Sequence, residues 1–421
     1  MPLDGKAVAR VCGGADVIEG RQLCRAELER FRKLAAGGAP LTVACTQEAP
    51  LFGEVAGAIE DAAEISFVNI RETAGWSKDA AAAGPKMAAL IAASEEPLPA
   101  VAFVPLASEG VTLIYGKDEQ AIEAANLLKD HLDISVMIKP PGELAPSRAT
   151  EYPVVKGIIR QAKGYLGAFE LTVDDYATPR PSSRGALEFG PARNGAVSRC
   201  DIVIDLSGGA SLFPAADLRD GYLRADPGDP AAVLRAVLKA RDLTGTFDKP
   251  RYIDFTEDLC AHSRSKIVGC RRCLDLCPTG AITPNGDHVA IDAKICAGCG
   301  QCAAGCPTGA AAYALPGSDA LLRKLRTLLS TYRDAGGKQA VLLIHDADHG
   351  GAMIDALARH GDGLPANVLP LQVNEITQIG LESVAAAFAY GASALRFILR
   401  AKPRHEVAGL TTVSYKLLRA H

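Results

Sequence analysis

The chain has 421 residues, 48% hydrophobic and 22% charged, with a formal net charge of −4. This describes a folded chain, and at about 100–200 residues per domain its length implies two to four domains. No global positive field attracts nucleic-acid phosphate, no apolar run approaches the roughly 20 residues that span a bilayer, and Met1-Pro2-Leu3-Asp4-Gly5-Lys6 opens no secretory or twin-arginine signal. The expectation is a cytoplasmic protein with no nucleic-acid partner and no membrane span.

In chain order, Val8–Val11 and a Gly13-Gly14 turn come first. Apolar spacing at Leu23, Leu28, Phe31 and Leu34 then predicts a helix over Arg21–Leu34. A strand at Leu41–Ala44, a helix at Leu51–Ala63 and a strand at Ile65–Ile70 make residues 1–99 a small α/β domain. Ala80–Ala93 is alanine-rich but interrupted by Gly84, Pro85 and Lys86. Residues 100–255 follow the Pro97-Leu98-Pro99 punctuation. Val111–Tyr115, Asp118–Leu132 and Ile134–Ile138 read as a parallel strand–helix–strand unit, Cys200–Leu206 as one further strand, residues 178–195 as an exposed loop, and Pro230–Ala240 as a helix. Residues 317–421 alternate again: helix Asp319–Arg333, strand Gln339–His345, helix Gly351–His360, strand Asn367–Val373, helix Leu381–Tyr390, strand Ala394–Leu399. The fold class expected is therefore α/β, with parallel units flanking a small α+β module at 256–316.

That module is defined by cysteine. Of twelve cysteines, eight lie between Cys260 and Cys306, and in a reducing compartment such a concentration argues for metal or redox chemistry rather than disulfides. Cys296-Ala-Gly-Cys299-Gly-Gln-Cys302-Ala-Ala-Gly-Cys306-Pro307 is a complete bacterial-ferredoxin motif. Its first three thiolates wrap one 4Fe-4S cluster, and the fourth, before proline, ligates the other. Gly298, Gly300 and Gly305 give such a loop its backbone freedom. The first motif, Cys270-Arg-Arg-Cys273-Leu-Asp-Leu-Cys277-Pro278, lacks its opening cysteine because position 267 is isoleucine, and Cys260 is the replacement on a longer loop. Interleaving assigns Cys260, Cys270, Cys273 and Cys306 to the first cluster, and Cys277, Cys296, Cys299 and Cys302 to the second. Repeated Pro-Thr-Gly-Ala segments at 278–281 and 307–310 support an internal pseudo-twofold, and Thr283–Asp287 predicts a hairpin turn between them. Zinc would instead use cysteine pairs at knuckle spacing.

Arg264, Lys266, Arg271 and Arg272 crowd the first motif, whereas the second has no charge between its ligands. Positive charge favours the reduced cluster, so the first cluster is expected to have the higher potential, unless those side chains are solvated and screened. The same patch suits an acidic docking partner.

Two flanking segments carry resemblances. Cys45-Thr46-Gln47-Glu48-Ala49-Pro50-Leu51-Phe52, then Val68-Asn69-Ile70-Arg71-Glu72 and Trp76-Ser77, resemble the A-type subunit of heterodisulfide reductase. Asn367–Leu371, Leu381–Val384 and Ala387–Ala392 resemble the delta subunit of methyl-viologen-reducing hydrogenase. The resemblance implies a redox relay with a hydrogenase or formate dehydrogenase as electron partner, and an N-terminal third cluster on Cys12, Cys24 and Cys45. No fourth cysteine is evident for that cluster, and buried structural cysteine is the alternative. The family's flavin site needs three glycines, and Leu113-Ile114-Tyr115-Gly116-Lys117-Asp118 keeps one, which argues against flavin there; Gly208-Gly209 is a fallback nucleotide turn. His345-Asp346-Ala347-Asp348-His349 falls where the hydrogenase family has cluster ligands, but Asp348 as a helix cap explains it as well, and Cys200 reads as core. The function expected is an electron-transfer subunit of an oxidoreductase rather than a stand-alone enzyme, carrying electrons between a dehydrogenase and a low-potential acceptor. The alternative is a maturation or redox-sensing factor for a metalloenzyme.

Overall fold

The computed structural model describes residues 5, 8–9, 16–140, 144–147, 149, 151–264 and 267–400. The Gly13-Gly14 turn, Cys12, Lys266 and the tail beyond 400 lie outside them. The fold is mixed α/β as expected. The chain divides into two units: residues 1–101, 299–306 and 312–421 form one, and 102–298 with 307–311 the other.

In the first unit, a parallel sheet orders its strands as Val368–Gln372, Val341–His345 and Ala394–Phe397, in the alternation expected. The helix Ser318–Asp334 lays Leu321, Leu325, Leu328 and Leu329 on it. A helix at Gly84–Ser94 joins the same core through Ala89 and Ala93. Its proline sits in the first turn, where the missing N–H has no helical partner to lose, so Gly84-Pro85 starts this helix rather than interrupting it. Near the N-terminus, Leu41–Val43 pairs in parallel with Ile65–Phe67 over a cluster of Phe31, Ala35, Val43 and Phe52. The helix expected over Arg21–Leu34 covers Leu28–Ala35 only, because the Glu27 carboxylate takes the N–H groups of Arg21 and Gln22 and holds the preceding residues in a turn.

The Asn69–Trp76 segment is a lock within this unit. Asn69 Oδ1 accepts the N–H groups of Arg71 and Glu72, and buried Glu72 pairs with Arg71 and with Arg359 at 3.1 Å. Burial works to raise the Glu72 carboxyl, and the Arg71 and Arg359 guanidinium groups overcome it, leaving it below the ordinary range. Both guanidinium groups stack on Trp76, at 4.3 and 5.4 Å from its ring centre.

The second unit is built on a seven-stranded mixed sheet: β1 Val111–Gly116, β2 Asp133–Ile138, β3 Val154–Lys163, β4 Phe169–Ala177, β5 Ala196–Cys200, β6 Ile202–Asp205 and β7 Tyr222–Arg224. Its order is β7-β6-β1-β2-β3-β4-β5. The expected single strand Cys200–Leu206 is thus two strands, split at Asp201. Flat, five steps of about 4.8 Å would separate β5 from β6 by about 24 Å, whereas two residues of chain reach about 7 Å. The sheet must therefore curl until its two sides meet. The Asp201 carboxylate holds the seam by accepting from Glu109 N at 2.7 Å and Val111 N at 3.2 Å, while its own N–H donates to Val111 O.

Curling buries both faces, which explains the nearly continuous apolar strands. Ile114, Val136, Ile138, Ile202 and Ile204 pack with the helices Glu119–Leu128 and Pro230–Arg241. Leu113, Tyr115, Met137, Phe169, Leu171 and Val203 form a separate core on the opposite face. Asp118 and Asp229 cap the two helices, so Asp118 precedes its helix, which ends at Leu128 rather than Leu132. A ladder of Phe103–Ser108 with Gly245–Pro250 was not expected from the sequence.

Lys86 is fully buried in the first unit, its amine donating to Leu364 O at 3.2 Å and Pro365 O at 2.8 Å. A neutral amine has two N–H groups for these two carbonyls, and burial pushes its pKa down to about 7. The unfolded chain then binds one proton more between about pH 7 and pH 10, so stability rises with pH across that window and is flat below it. In urea unfolding, the stability of the wild type relative to K86M should grow by up to about 1.4 kcal/mol per pH unit above pH 7. A pH-independent difference would refute this.

Candidate metal centre

The cysteine segment begins with a small hairpin, Ser263–Arg264 against Ile267–Val268. Its base is closed by Gly269 N donating to His262 O at 2.7 Å and Cys270 N to Ala261 O at 2.9 Å, with His262 Nδ1 2.9 Å from Cys270 O. This ladder sets Ala261, the residue after Cys260, against Cys270, although Cys260 and Cys270 are ten positions apart in the chain. Ile267, where the motif would have its first cysteine, is on the outer arm and 73% exposed. The short helix Arg272–Leu276 carries Cys273, and Cys277 follows with its sulfur 3.7 Å from Thr279 Oγ1.

The hairpin between the motifs is present, with Ile282–Asn285 paired to His288–Ile291. Its turn is tighter than expected: only Gly286 and Asp287 lie between the strands, and Gly286 has φ +65°. Asp292 opens the second motif by accepting from Lys294 N and Ile295 N on its carboxylate, and from Cys296 N on its carbonyl. Gly280 and Gly309, equivalent positions of the two Pro-Thr-Gly-Ala segments, both have positive φ, +68° and +71°.

The second motif depends on its glycines. Gly298 has φ +75°, and a Cβ there would sit 2.6 Å from the Tyr252 ring; its N–H donates to the Cys296 sulfur. Burial pushes the Cys296 thiol up, while that N–H and the charge of Lys249 pull it down. Gly300 has φ +76°, and a Cβ there would meet Gln378 at 2.6 Å, where Thr377 Oγ1 donates to Cys299 O. Gln301–Ala304 then forms a helical turn around buried Cys302.

Of the eight cysteines, Cys302 is buried and the other seven are half-buried. They suit cluster thiolates chemically, since a backbone amide reaches one sulfur and positive-φ glycines clear side chains from the loops. Among the described residues no three His, Cys, Asp or Glu side chains gather as ligands of a single ion. Cys277 and Cys296, assigned by sequence to one cluster, lie close enough to interact electrostatically. Sequence reading missed two cations beside these ligands, Arg219 and Lys249, because both lie outside the motifs.

Elsewhere, Cys24 and Cys45 pack against the Phe31–Phe52 core. Cys200 is buried, with burial pushing its thiol up to about 12. In the His345–His349 segment the cap is Asp346 rather than Asp348: its carboxylate accepts from His349 N at 2.7 Å and Gly350 N at 2.8 Å, and pairs with Arg400. The single glycine after the Val111–Tyr115 run, Gly116, abuts Ala121, where a Cβ would come within 2.6 Å, so it serves strand–helix packing. The Gly208-Gly209 turn is braced by Arg224, which donates to Gly209 O at 2.7 Å.

Gly286 and Gly298 separate two effects. A Cβ at Gly286 meets nothing within 4 Å, so G286A carries only the left-handed strain of about 1–2 kcal/mol. G298A adds the collision with Tyr252. Anaerobically purified G286A should keep wild-type iron per chain with a modest loss in thermal stability, while G298A should lose iron. Equal iron in both variants would show that the loop tolerates a side chain at Gly298.

Among the described residues, no helix is long and apolar enough to cross a membrane. None of the curated proteins matches the chain. Residues 268–310, which contain Cys270, Cys273, Cys277, Cys296, Cys299, Cys302 and Cys306, match the family model of the 4Fe-4S dicluster domain, so this chain carries an iron–sulfur segment of the electron-transfer kind.

Proposed function

We propose that this protein relays electrons through two 4Fe-4S clusters, as a subunit or carrier between a dehydrogenase, formate dehydrogenase or hydrogenase among the candidates, and a low-potential acceptor. The observation that carries the reading is the dicluster match over both cysteine motifs. The proposed ligands are Cys260, Cys270, Cys273 and Cys306 for the first cluster, and Cys277, Cys296, Cys299 and Cys302 for the second. When bound, each cluster supplies one-electron storage.

Cys260 lies outside the matched segment, and its case rests on the Ala261–Cys270 ladder, which supports its use in place of a cysteine at 267. The protein's part is to hold thiolates in a partly buried setting, supply N–H groups to sulfur, and present the site to a redox partner. The dehydrogenase assignment draws on the flanking resemblances. A third cluster remains part of the proposal only through Cys24 and Cys45, with Cys12 outside the described residues.

Iron and acid-labile sulfide on anaerobically purified protein should come to about eight each per chain, and stepwise reduction should give a spin-coupled pair of EPR signals. About twelve would add the N-terminal cluster, and about four or fewer would overturn the two-cluster relay. C260A should lose the first cluster or leave it in a three-iron form, lowering iron to between about four and about seven. Iron unchanged in C260A would remove Cys260 from the ligand set.

A further inference from the structure

Among the described residues, the arginines nearest the first motif in sequence are not buried. Arg264, Arg271 and Arg272 are all exposed, and Arg271 is paired with Asp275 at 3.6 Å. Solvent and counterions screen such charges, so they do little to a neighbouring redox centre. Their exposure favours the solvated, screened alternative for these three side chains.

Two cations from outside the motifs are buried beside the second cluster's proposed ligands. Arg219 is 7% exposed. Its guanidinium stacks on Phe213 at 4.8 Å and donates to Gly164 O at 3.0 Å and to Thr279 O at 2.6 Å. Thr279 is the residue whose hydroxyl lies against the Cys277 sulfur. Arg219 Nε has no hydrogen-bond partner, so part of this buried cation remains uncompensated. Lys249, 8% exposed, donates to Lys294 O at 2.9 Å, two positions before Cys296, and to Asp220 at 2.8 Å. The carboxylates that oppose these cations, Asp220 and Asp292, are exposed. Positive charge therefore sits in the low-dielectric side of the site and negative charge in the screened side, which leaves a net positive field.

Resting on the two-cluster reading above, we infer that Arg219 and Lys249 make the second cluster, on Cys277, Cys296, Cys299 and Cys302, the higher-potential member of the pair. Both act as positioning and field residues and touch no iron. A one-electron reduction adds one negative charge at the cluster, and a nearby buried cation stabilises that product. With both clusters bound, transfer from the first to the second would be the downhill direction, and these two side chains would set it.

The test is an anaerobic redox titration followed by EPR, with iron measured on every sample. C296S should alter the spectrum of the component reduced first, and C273S that of the component reduced second. At the wild-type midpoint of the first-reduced component, R219Q should lower its reduced-to-oxidised ratio about tenfold, a shift of about 59 mV for one electron. K249Q should act in the same direction, R219K should restore most of the ratio, and R271Q should change neither component more than about threefold. R219Q moving neither component at full iron content, or C273S marking the component reduced first, would overturn the inference. If R219Q fails to keep its iron, K249Q decides alone, with an unmoved ratio refuting the idea. A wild type with fewer than two reversible components would instead refute the two-cluster reading itself.

Discussion

One buried guanidinium ties the curled sheet to the cysteine segment. Arg219 directs one donor to Gly164, in the β3–β4 connection, and another to Thr279, just past Cys277. It can do so only because the sheet curls. Closure at Asp201 sends the chain from β5 straight to β6, and the following stretch returns Phe213 against Phe169 at 5.5 Å and Tyr222 at 5.0 Å. Those rings form the wall on which Arg219 lies. A charge this deep has a large desolvation cost, which is offset here by two carbonyls and a ring face. Burial pulls Arg219 below the ordinary arginine range, and the charges of Asp292 and Cys277 oppose that pull.

The same pattern recurs wherever a polar group is buried. Asp205, at the end of β6, accepts from Ser207 N at 3.0 Å and from the Tyr222 hydroxyl. Burial, reinforced by this bond, moves the Tyr222 phenol up to about 12, so it remains a donor throughout the physiological range. Glu72 is satisfied by two arginines and Lys86 by two carbonyls. Removing one partner from any of these sets strands a buried polar group, which costs more than the bond itself contributes.

The legible parts of the sequence are those governed by local chemistry. The helices expected over Asp118–Leu132 and Pro230–Ala240 are present as Glu119–Leu128 and Pro230–Arg241, each behind an aspartate cap that sequence reading did not use, and the alternation over 317–400 produces the parallel sheet it implies. The cysteine motifs are readable because cluster ligation demands their spacing. What escapes notice is decided at longer range. Strands β3 and β4 are ten and nine residues long, but register shifts near Gly157 and Arg160 break the alternation that would reveal β3. Cys200–Leu206 looks like one strand, and its first acidic residue, Asp201, is the signal of a seam. The Gly84-Pro85 pair looks like an interruption although proline is favoured in a helix's first turn.

The cysteine segment shows the division between these two kinds of information most clearly. Spacing identifies a ligand only while the chain between ligands keeps its usual length. Once ten positions separate Cys260 from Cys270, adjacency is decided by a ladder of backbone hydrogen bonds, which no spacing rule encodes. Charge obeys the same logic. Arg271 and Arg272 are neighbours of Cys270 in sequence but face solvent, whereas Arg219 and Lys249 come from distant elements and are buried. Because the dielectric around a charge matters as much as its distance, the fold and not the motif determines which cations a cluster feels. The dicluster motifs are thus written locally in this chain, while the setting of Cys260 and the electrostatics of the site are written in the architecture that surrounds them.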